Sequence, residues 1–313
     1  MELAQLSYFK TVAEQQSIKK AAEILHISQP SLSVAISKLE ASLGVPLFDR
    51  VNRSIRLNAM GAVYLEHVNR IFNELAEARL EIAENTGSVP NTIHFASTIH
   101  GLCNDVVKMY LGHHNETIMH YYSQDADSVL KGLKNGDIDF SISHSPFQAK
   151  EIEWKPLVDE NLAVVTCKTH RFVSKGFVDL VDLKDEQLII QHSNSDAPGE
   201  YSDLFLTNGL APSRAFFTNE LEAAFAIAEL GLGVLVVSYL TAHRLMKNPV
   251  HTAQIVPLRL PHPIHTIGIS KLSGHYLTSP VRRFYNYVIE YFDELSKLQD
   301  ERWSQIPRAE EPI

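Results

Sequence analysis

The sequence predicts a chain of two parts. An all-α winged helix-turn-helix carried on a long linker helix comes first, and a two-lobed α/β region follows. Three observations predict it. Two short helical patterns lie close together between Ser17 and Gly44, with a basic hairpin after them. From Asn58 to Asn85 there is no proline, and apolar residues keep a heptad rhythm. Beyond Asn91, strand and helix patterns alternate.

Ser17 is placed to cap the first helix of the motif, because its hydroxyl can accept from an unpaired N–H of the first turn. Ala21, Ala22, Ile24 and Leu25 give that helix one compact apolar side, and small alanines let a second helix cross closely. His26 and Ile27 make the turn. Ser28 caps the second helix, and Pro30 falls in its first turn, where a missing N–H costs nothing. Leu32, Ile36, Leu39 and Leu43 recur at helical spacing and mark the buried stripe. Gly44 ends the helix. The opposite face carries Gln29, Ser31, Ser33, Ser37 and Lys38, short polar groups suited to base edges and phosphates. Val45, Leu47 and Phe48 should tie the hairpin to the small core. Arg50, Arg53 and Arg56 are spaced to neutralise phosphates, which supplies affinity but little sequence choice.

The connector helix is capped by Asn58. Tyr64, Val68, Ile71, Leu75, Ala78 and Ile82 form a seam that predicts pairing of two copies, with Glu66, Asn69, Asn73, Glu77 and Glu81 pointing outward. A pair of reading helices related by a two-fold axis predicts an interrupted palindrome as the DNA site. The helix ends in a linker, Asn85 to Pro90.

In the α/β region, residues 92–97, 117–123 and 138–143 read as strands, and residues 101–111 and 126–134 as helices. This run implies a mostly parallel sheet. A second unit follows, with strands at 162–167, 188–191 and 234–237 and a helix at 220–230. The chain returns near 264–270 and closes with a helix at 279–298. The expected division is 1–60 for the winged module, 61–90 for the linker helix and hinge, and 91–298 for the α/β domain. Its first lobe takes 91–161 and 266–298, its second 162–265, and 299–313 are a loose tail. Ligands of open α/β sheets sit beyond the carboxyl ends of strands. Those ends carry Ser97 and Thr98, Gln124, Ser143 and His144, and Ser193, Asn194 and Ser195; Thr218 lies before another helix. Hydroxyls, amides and helix N-termini favour an anion such as a carboxylate. Tyr121, Tyr122, Phe147, Phe216 and Phe217 nearby in sequence allow an aromatic organic acid.

On its residues the chain resembles the LysR-type transcriptional regulators. Phe9, Ala21-Ala22, Leu25, Ser28-Gln29-Pro30-Ser31, Ser33, Ile36, Leu39-Glu40, Gly44, Leu47-Phe48, Arg50, Arg53 and Gly61 stand where that family's N-terminal signature has them. Val34 and Ala35 are apolar where the family usually has a polar or basic residue, so Val34 can offer only an apolar contact such as with a thymine methyl group. Asn58 replaces the usual threonine. Leu133, Gly136, Asp137, Asp139, Gly231 and Gly233 match landmarks of the family's effector-binding domain, which is similar to periplasmic binding proteins. Val237-Ser238-Tyr239 stands where a proline is usual. The resemblance implies a DNA-binding regulator of transcription that works as a homodimer or homotetramer, answers a small-molecule effector and acts on RNA polymerase.

Composition narrows the classes further. Residues 1–60 hold seven Lys/Arg against five Asp/Glu, a balance of +2, so with −9 overall the remainder carries −11. DNA contact is therefore expected only at the N-terminal module. Cys103 and Cys167 have no ligand spacing, so reduced thiols are expected. Met1 leads straight into an amphipathic helix, and no apolar run is long enough to cross a bilayer, so a cytoplasmic protein is expected. His113-His114 and His262 with His265 lack a partner set for a metal. No phosphate loop, nucleophile elbow or Ser/His/Asp pattern is present, so neither a cofactor nor an enzyme is expected. The rival classes are a solute-binding protein, opposed by the N-terminal module, and an enzyme with an accessory DNA module, opposed by the missing catalytic set.

Overall fold

The computed structural model describes residues 2–51, 54–99, 101–191, 204–205 and 215–307. The chain divides into two compact units, one of residues 1–90 with 131–137 and 274–278, the other of the remainder.

In the first unit, α1 (Leu3–Gln15), α2 (Ile18–Ile24) and α3 (Gln29–Leu43) precede a hairpin of β1 (Phe48–Val51) and β2 (Ser54–Leu57). The long helix α4 (Ala59–Asn85) follows. Phe9, Val12, Leu32, Leu39, Leu47 and Val68 are almost wholly buried in one core. Burying each such side chain contributes roughly 1.5–3 kcal/mol. The expected caps are present. Ser17 accepts from the Lys20 N–H at 3.3 Å, and Ser28 accepts from the Ser31 N–H at 3.2 Å. Gly44 takes φ +75°, a conformation that suits glycine at a helix C-terminus. Three expected core residues are corrected. Ile24, Leu43 and Val45 are exposed: Ile24 and Leu43 are the last residues of α2 and α3, and Val45 lies in the loop after α3.

Helix α4 corrects the expected seam. Val68 is fully buried in the unit's own core, and Tyr64 packs its ring edge on Phe9 at 5.1 Å. Ile71, Leu75, Ala78 and Ile82 remain exposed along one side. The expected outward face is also corrected. Asn73 is buried and donates to the Lys134 carbonyl at 2.8 Å, while Asn69 donates to Asn135 at 3.0 Å. His275 Nδ1 lies 2.6 Å from Glu77 Oε1, and the Tyr276 hydroxyl donates to Glu84. Apolar periodicity cannot register a helix face held by side-chain hydrogen bonds.

The second unit holds two sheets. The first has the order β4-β3-β5-β13-β6 and the second β10-β9-β11-β7-β12-β8. The strands of the first are β3 (Thr92–Ser97), β4 (Ile118–Ser123), β5 (Phe140–Ser143), β6 (Ile152–Glu160) and β13 (His265–Leu272). Those of the second are β7 (Leu162–Thr166), β8 (Val178–Asp179), β9 (Leu188–Gln191), β10 (Ala215–Thr218), β11 (Val234–Ser238) and β12 (Gln254–Arg259). In chain order the helices are α5 (Asn104–His113), α6 (Ala126–Asn135), α7 (Arg171–Lys175), α8 (Leu221–Glu229), α9 (Tyr239–Met246) and α10 (Ser279–Ser304). Phe95, Phe140 and Phe284 form the aromatic heart of the first lobe, with centroids 5.1–5.6 Å apart. The sheets are mixed rather than mostly parallel. The strands that carry the chain between them, β6, β7, β12 and β13, enter antiparallel to β5, to β11 or to one another. Asp139 locks β3 beside β5 by accepting from the His94 N–H at 2.7 Å. The expected tail is corrected too. Helix α10 runs on to Ser304, because Gln299 is buried and Trp303 packs edge-on against Tyr239 at 5.0 Å.

Two glycines set opposite expectations. A Cβ on Gly61 would stand 2.1 Å from the Leu47 carbonyl oxygen, whereas one on Gly112, in α5, meets nothing within 4 Å. Gly61→Ala should destabilise by roughly 1–3 kcal/mol or more. Gly112→Ala should stabilise by about 0.5–1 kcal/mol. Urea titration of both variants checks the pair of signs.

Candidate nucleic-acid interface and effector cleft

Helix α3 is two-faced. Leu32, Ile36 and Leu39 are buried, while Gln29, Pro30, Ser31, Val34, Ser37 and Lys38 are exposed and Ser33 is half-buried. The Ser28 and Ser31 hydroxyls bond each other at 2.7 Å, which holds the start of α3 in shape. A cleft of about 550 Å³ opens beside it, lined by Gln16, Ser17 and Lys19 from one side and by Gln29, Ser33 and Glu40 from the other. One exposed surface thus offers amide, hydroxyl, ammonium and apolar contacts along a single helix.

The hairpin is fastened to that helix by Glu40. Its Oε1 accepts from the backbone N–H groups of Leu47 at 2.8 Å and Phe48 at 3.2 Å. Arg56 is exposed on β2 opposite Asp49, and Arg50 pairs with Ile55 in the backbone register. Arg53 lies outside the described residues, and so does the side chain of Arg50. Asn58 closes the module. It accepts from the Gly61 N–H at 2.9 Å and donates from its amide to the Pro46 carbonyl at 3.1 Å.

In the second unit, parallel pairing of β3 with β4 and β5 brings Ser97, Thr98, Gln124, Ser143 and His144 to one edge of the first sheet. Several of these side chains are already engaged. Ser97 is fully buried, donating to the Ile99 carbonyl at 3.1 Å and accepting from the Ile99 N–H at 3.0 Å. Ser143 donates to the Ser145 carbonyl at 2.8 Å. Thr218 ends β10 and accepts from the Glu220 N–H at 3.0 Å. Thr98 is half-buried and Gln124 exposed. His144 Nε2 stands 3.2 Å from the buried Glu160 carboxylate. Ser193, Asn194 and Ser195 lie outside the described residues.

Comparison with known proteins decides the class. Residues 3–62 match the model of the bacterial regulatory helix-turn-helix protein, lysR family, and residues 92–293 match the LysR substrate binding domain. The chain belongs to the LysR family of transcriptional regulators. This LysR-type regulator is 30% identical over 301 residues to the uncharacterized HTH-type transcriptional regulator YybE of Bacillus subtilis, covering 94% of this chain and 100% of that protein. It is 26% identical over 303 residues to the transcriptional dual regulator GltC of the same organism, covering 96% and 100%. A full-length OxyR variant from Pseudomonas aeruginosa shares the fold, with a TM-score of 0.64 at 23% identity, covering 93% and 94% of the two chains.

A LysR-type regulator binds DNA and regulates transcription, and it carries an effector-binding substrate domain; it is not an enzyme. Both rival classes fall with that membership. No described helix is long and apolar enough to cross a membrane. Among the described residues no group of three or more His, Cys, Asp or Glu could hold a metal ion.

Residue-by-residue reading missed three side chains of this regulator. Glu40 entered only as a signature residue, with no role. Glu160 was not singled out, though the two carboxylates Asp159 and Glu160 between the apolar Val158 and Leu162 are a signal that could have found it. Arg244 of α9 also went unnoticed; its guanidinium would stand 3.4 Å from a Cβ on Gly101, at the loop that leads into α5.

The two cysteines differ in a testable way. Burial pushes the Cys103 thiol up to about 12. The Thr169 hydroxyl beside the half-exposed Cys167 holds its thiol below the usual range. Thiolates react and thiols do not. Iodoacetamide at neutral pH should label Cys167 and spare Cys103 in the folded protein, as read by peptide mass spectrometry.

Proposed function

We propose that α3 lies in the DNA major groove, with Gln29, Ser31, Ser33, Val34 and Ser37 toward base edges and Lys38 toward the phosphates. Ser28 and Pro30 shape its N-terminal approach, and Arg50, Arg53 and Arg56 grip phosphates. The exposed polar face of α3, opposite the buried Leu32, Ile36 and Leu39, carries this conclusion. Val34 is 53% exposed on that face, so an apolar contact to a thymine methyl group suits it.

The wider assembly follows from the same surfaces. Residues 1–60 form the DNA-binding module, 61–90 the linker helix and hinge, and 91–298 the effector domain. The exposed side of α4, with Ile71, Leu75, Ala78 and Ile82, pairs with a second copy. Two reading helices then meet an interrupted palindrome. The dimer further assembles into a tetramer, works in the cytoplasm and acts on RNA polymerase. The effector is an organic acid held between the two sheets, near Thr98 and Gln124. Effector binding changes DNA spacing only if the two DNA-bound arrangements differ in effector affinity.

DNA retention measured across a salt series tests the interface. Arg56→Ala and Lys38→Ala should weaken binding to all sequences and lower the salt slope by about one each. Gln29→Ala should cost about 1–3 kcal/mol at the specific site alone. Unchanged affinity and slope in all three would remove α3 and the hairpin from the interface.

Two more surfaces have their own checks. Leu75→Glu should shift the protein toward monomer in sedimentation velocity. A thermal-shift screen of the full chain against small organic acids should find a stabiliser, and Thr98→Val should abolish its effect.

A further inference from the structure

The two lobes of the second unit are joined where β6 runs into β7 and where β12 returns into β13. A cluster of ionisable side chains sits at this joint. Glu160, the last residue of β6, is 1% exposed. Its Oε1 accepts from the hydroxyl of Ser238, which ends β11 in the second lobe and caps α9. Its Oε2 faces His144 Nε2 at 3.2 Å, from the end of β5 in the first lobe. His265 begins β13, pairs with Glu160 in register and stacks on His144 with centroids 4.9 Å apart. The neighbouring carboxylate of Asp159 is engaged by the Thr266 hydroxyl at 2.7 Å. Backbone bonds converge on the same point. Ile264 donates to the Glu160 carbonyl and Tyr239 to the Asn161 carbonyl, while Gln299 of α10 donates to the Asp159 carbonyl and accepts from the Asn161 N–H.

We propose that Glu160, His144 and Ser238 form a proton-linked latch at this hinge, with His265 as its neutral stacking partner. A buried carboxylate needs a balancing charge, because desolvation of a lone anion is costly. One carboxylate balances one imidazolium, and a second like charge stacked beside the first is disfavoured. Burial, reinforced by the neighbouring His144, lowers the affinity of His265 for a proton, with Glu160 opposing. His144, which faces the carboxylate directly at 3.2 Å, is the imidazole placed to carry the balancing charge. With His144 charged, the Glu160 carboxylate is balanced and the Ser238 hydroxyl ties the second lobe to it. When His144 releases its proton to solvent, Glu160 is left as an unbalanced buried anion. Water then enters, and the joint loosens. The sign follows directly. The latch is fully formed at low pH and is lost as pH rises through the titration of His144. The latch does not require the effector, so it stands or falls apart from the DNA and effector assignments above.

Spin-label distances between the lobes test it in the full-length protein. Lys150→Cys in the first lobe and Lys184→Cys in the second, both exposed, carry the labels in a Cys167→Ser background. Between about pH 5.5 and about pH 8.5, the span across which imidazole titrates, the ratio of short to long distances should fall. The expected change is a shift of population from the short to the long distances. His265→Gln should keep the response, and His144→Gln and Glu160→Gln should lose it. A distance distribution that ignores pH, or a response that survives His144→Gln, would overturn the latch. If Glu160→Gln does not fold, the His144 variant decides alone, since that side chain is 25% exposed and leaves no large cavity.

Discussion

The bond between Glu40 and the backbone of Leu47 and Phe48 is the constraint on which the proposed DNA-facing surface depends. An acidic side chain beside a polyanion would ordinarily repel it. Here the carboxylate is turned inward and occupied by two N–H donors, so it acts as a fastener. It fixes the hairpin relative to α3, and with it the position of Arg56 relative to Lys38. Charge-assisted bonds to backbone donors are stronger than neutral ones. They act together with Leu47, Phe48 and Ile55, which anchor the hairpin in the module's core.

Helix α4 shows how one helix can serve three surfaces at once. Tyr64 and Val68 complete the core of the winged module. Asn69, Asn73, Glu77 and Glu84 bind residues 131–137 and 274–278 through hydrogen bonds. Ile71, Leu75, Ala78 and Ile82 remain exposed. Amides and carboxylates give the second surface direction, since a buried polar group left unmatched is expensive. The apolar surface is free of that demand.

Much of the fold was legible because local rules govern it. Ser17, Ser28 and Asn58 cap where their side chains predict, and Leu32, Ile36 and Leu39 fill the core at helical spacing. Strand direction was not legible, because β6, β7, β12 and β13 take theirs from the crossings between lobes, and no local pattern encodes a crossing. Strands β6, β8, β10 and β12 and helices α7 and α9 were missed; β8, β10 and α7 are too brief to show a period, and β6 has its apolar residues interrupted by Glu153, Lys155 and Pro156. In the first lobe, Ser97, Ser123 and Ser143 end β3, β4 and β5 where the sequence put small polar residues. It could not show that Ser97 and Ser143 spend their hydroxyls on their own loops, or that His144 meets a buried carboxylate. Those facts arise from chain segments far apart in sequence.

Asn58 has a mechanical consequence. It is bonded both to Pro46 in the hairpin approach and to Gly61 in the first turn of α4, and its own N–H donates to the Leu47 carbonyl. Gly61 lies against that same carbonyl with no room for a methyl group. Hairpin and helix are thus welded into one rigid piece, without a swivel. The 27 residues of α4 then act as a lever arm of about 40 Å. A tilt of about five degrees displaces the end of such an arm by roughly 3.5 Å, close to the rise of one base pair. A small tilt at one end of this helix is a base-pair-sized displacement at the other.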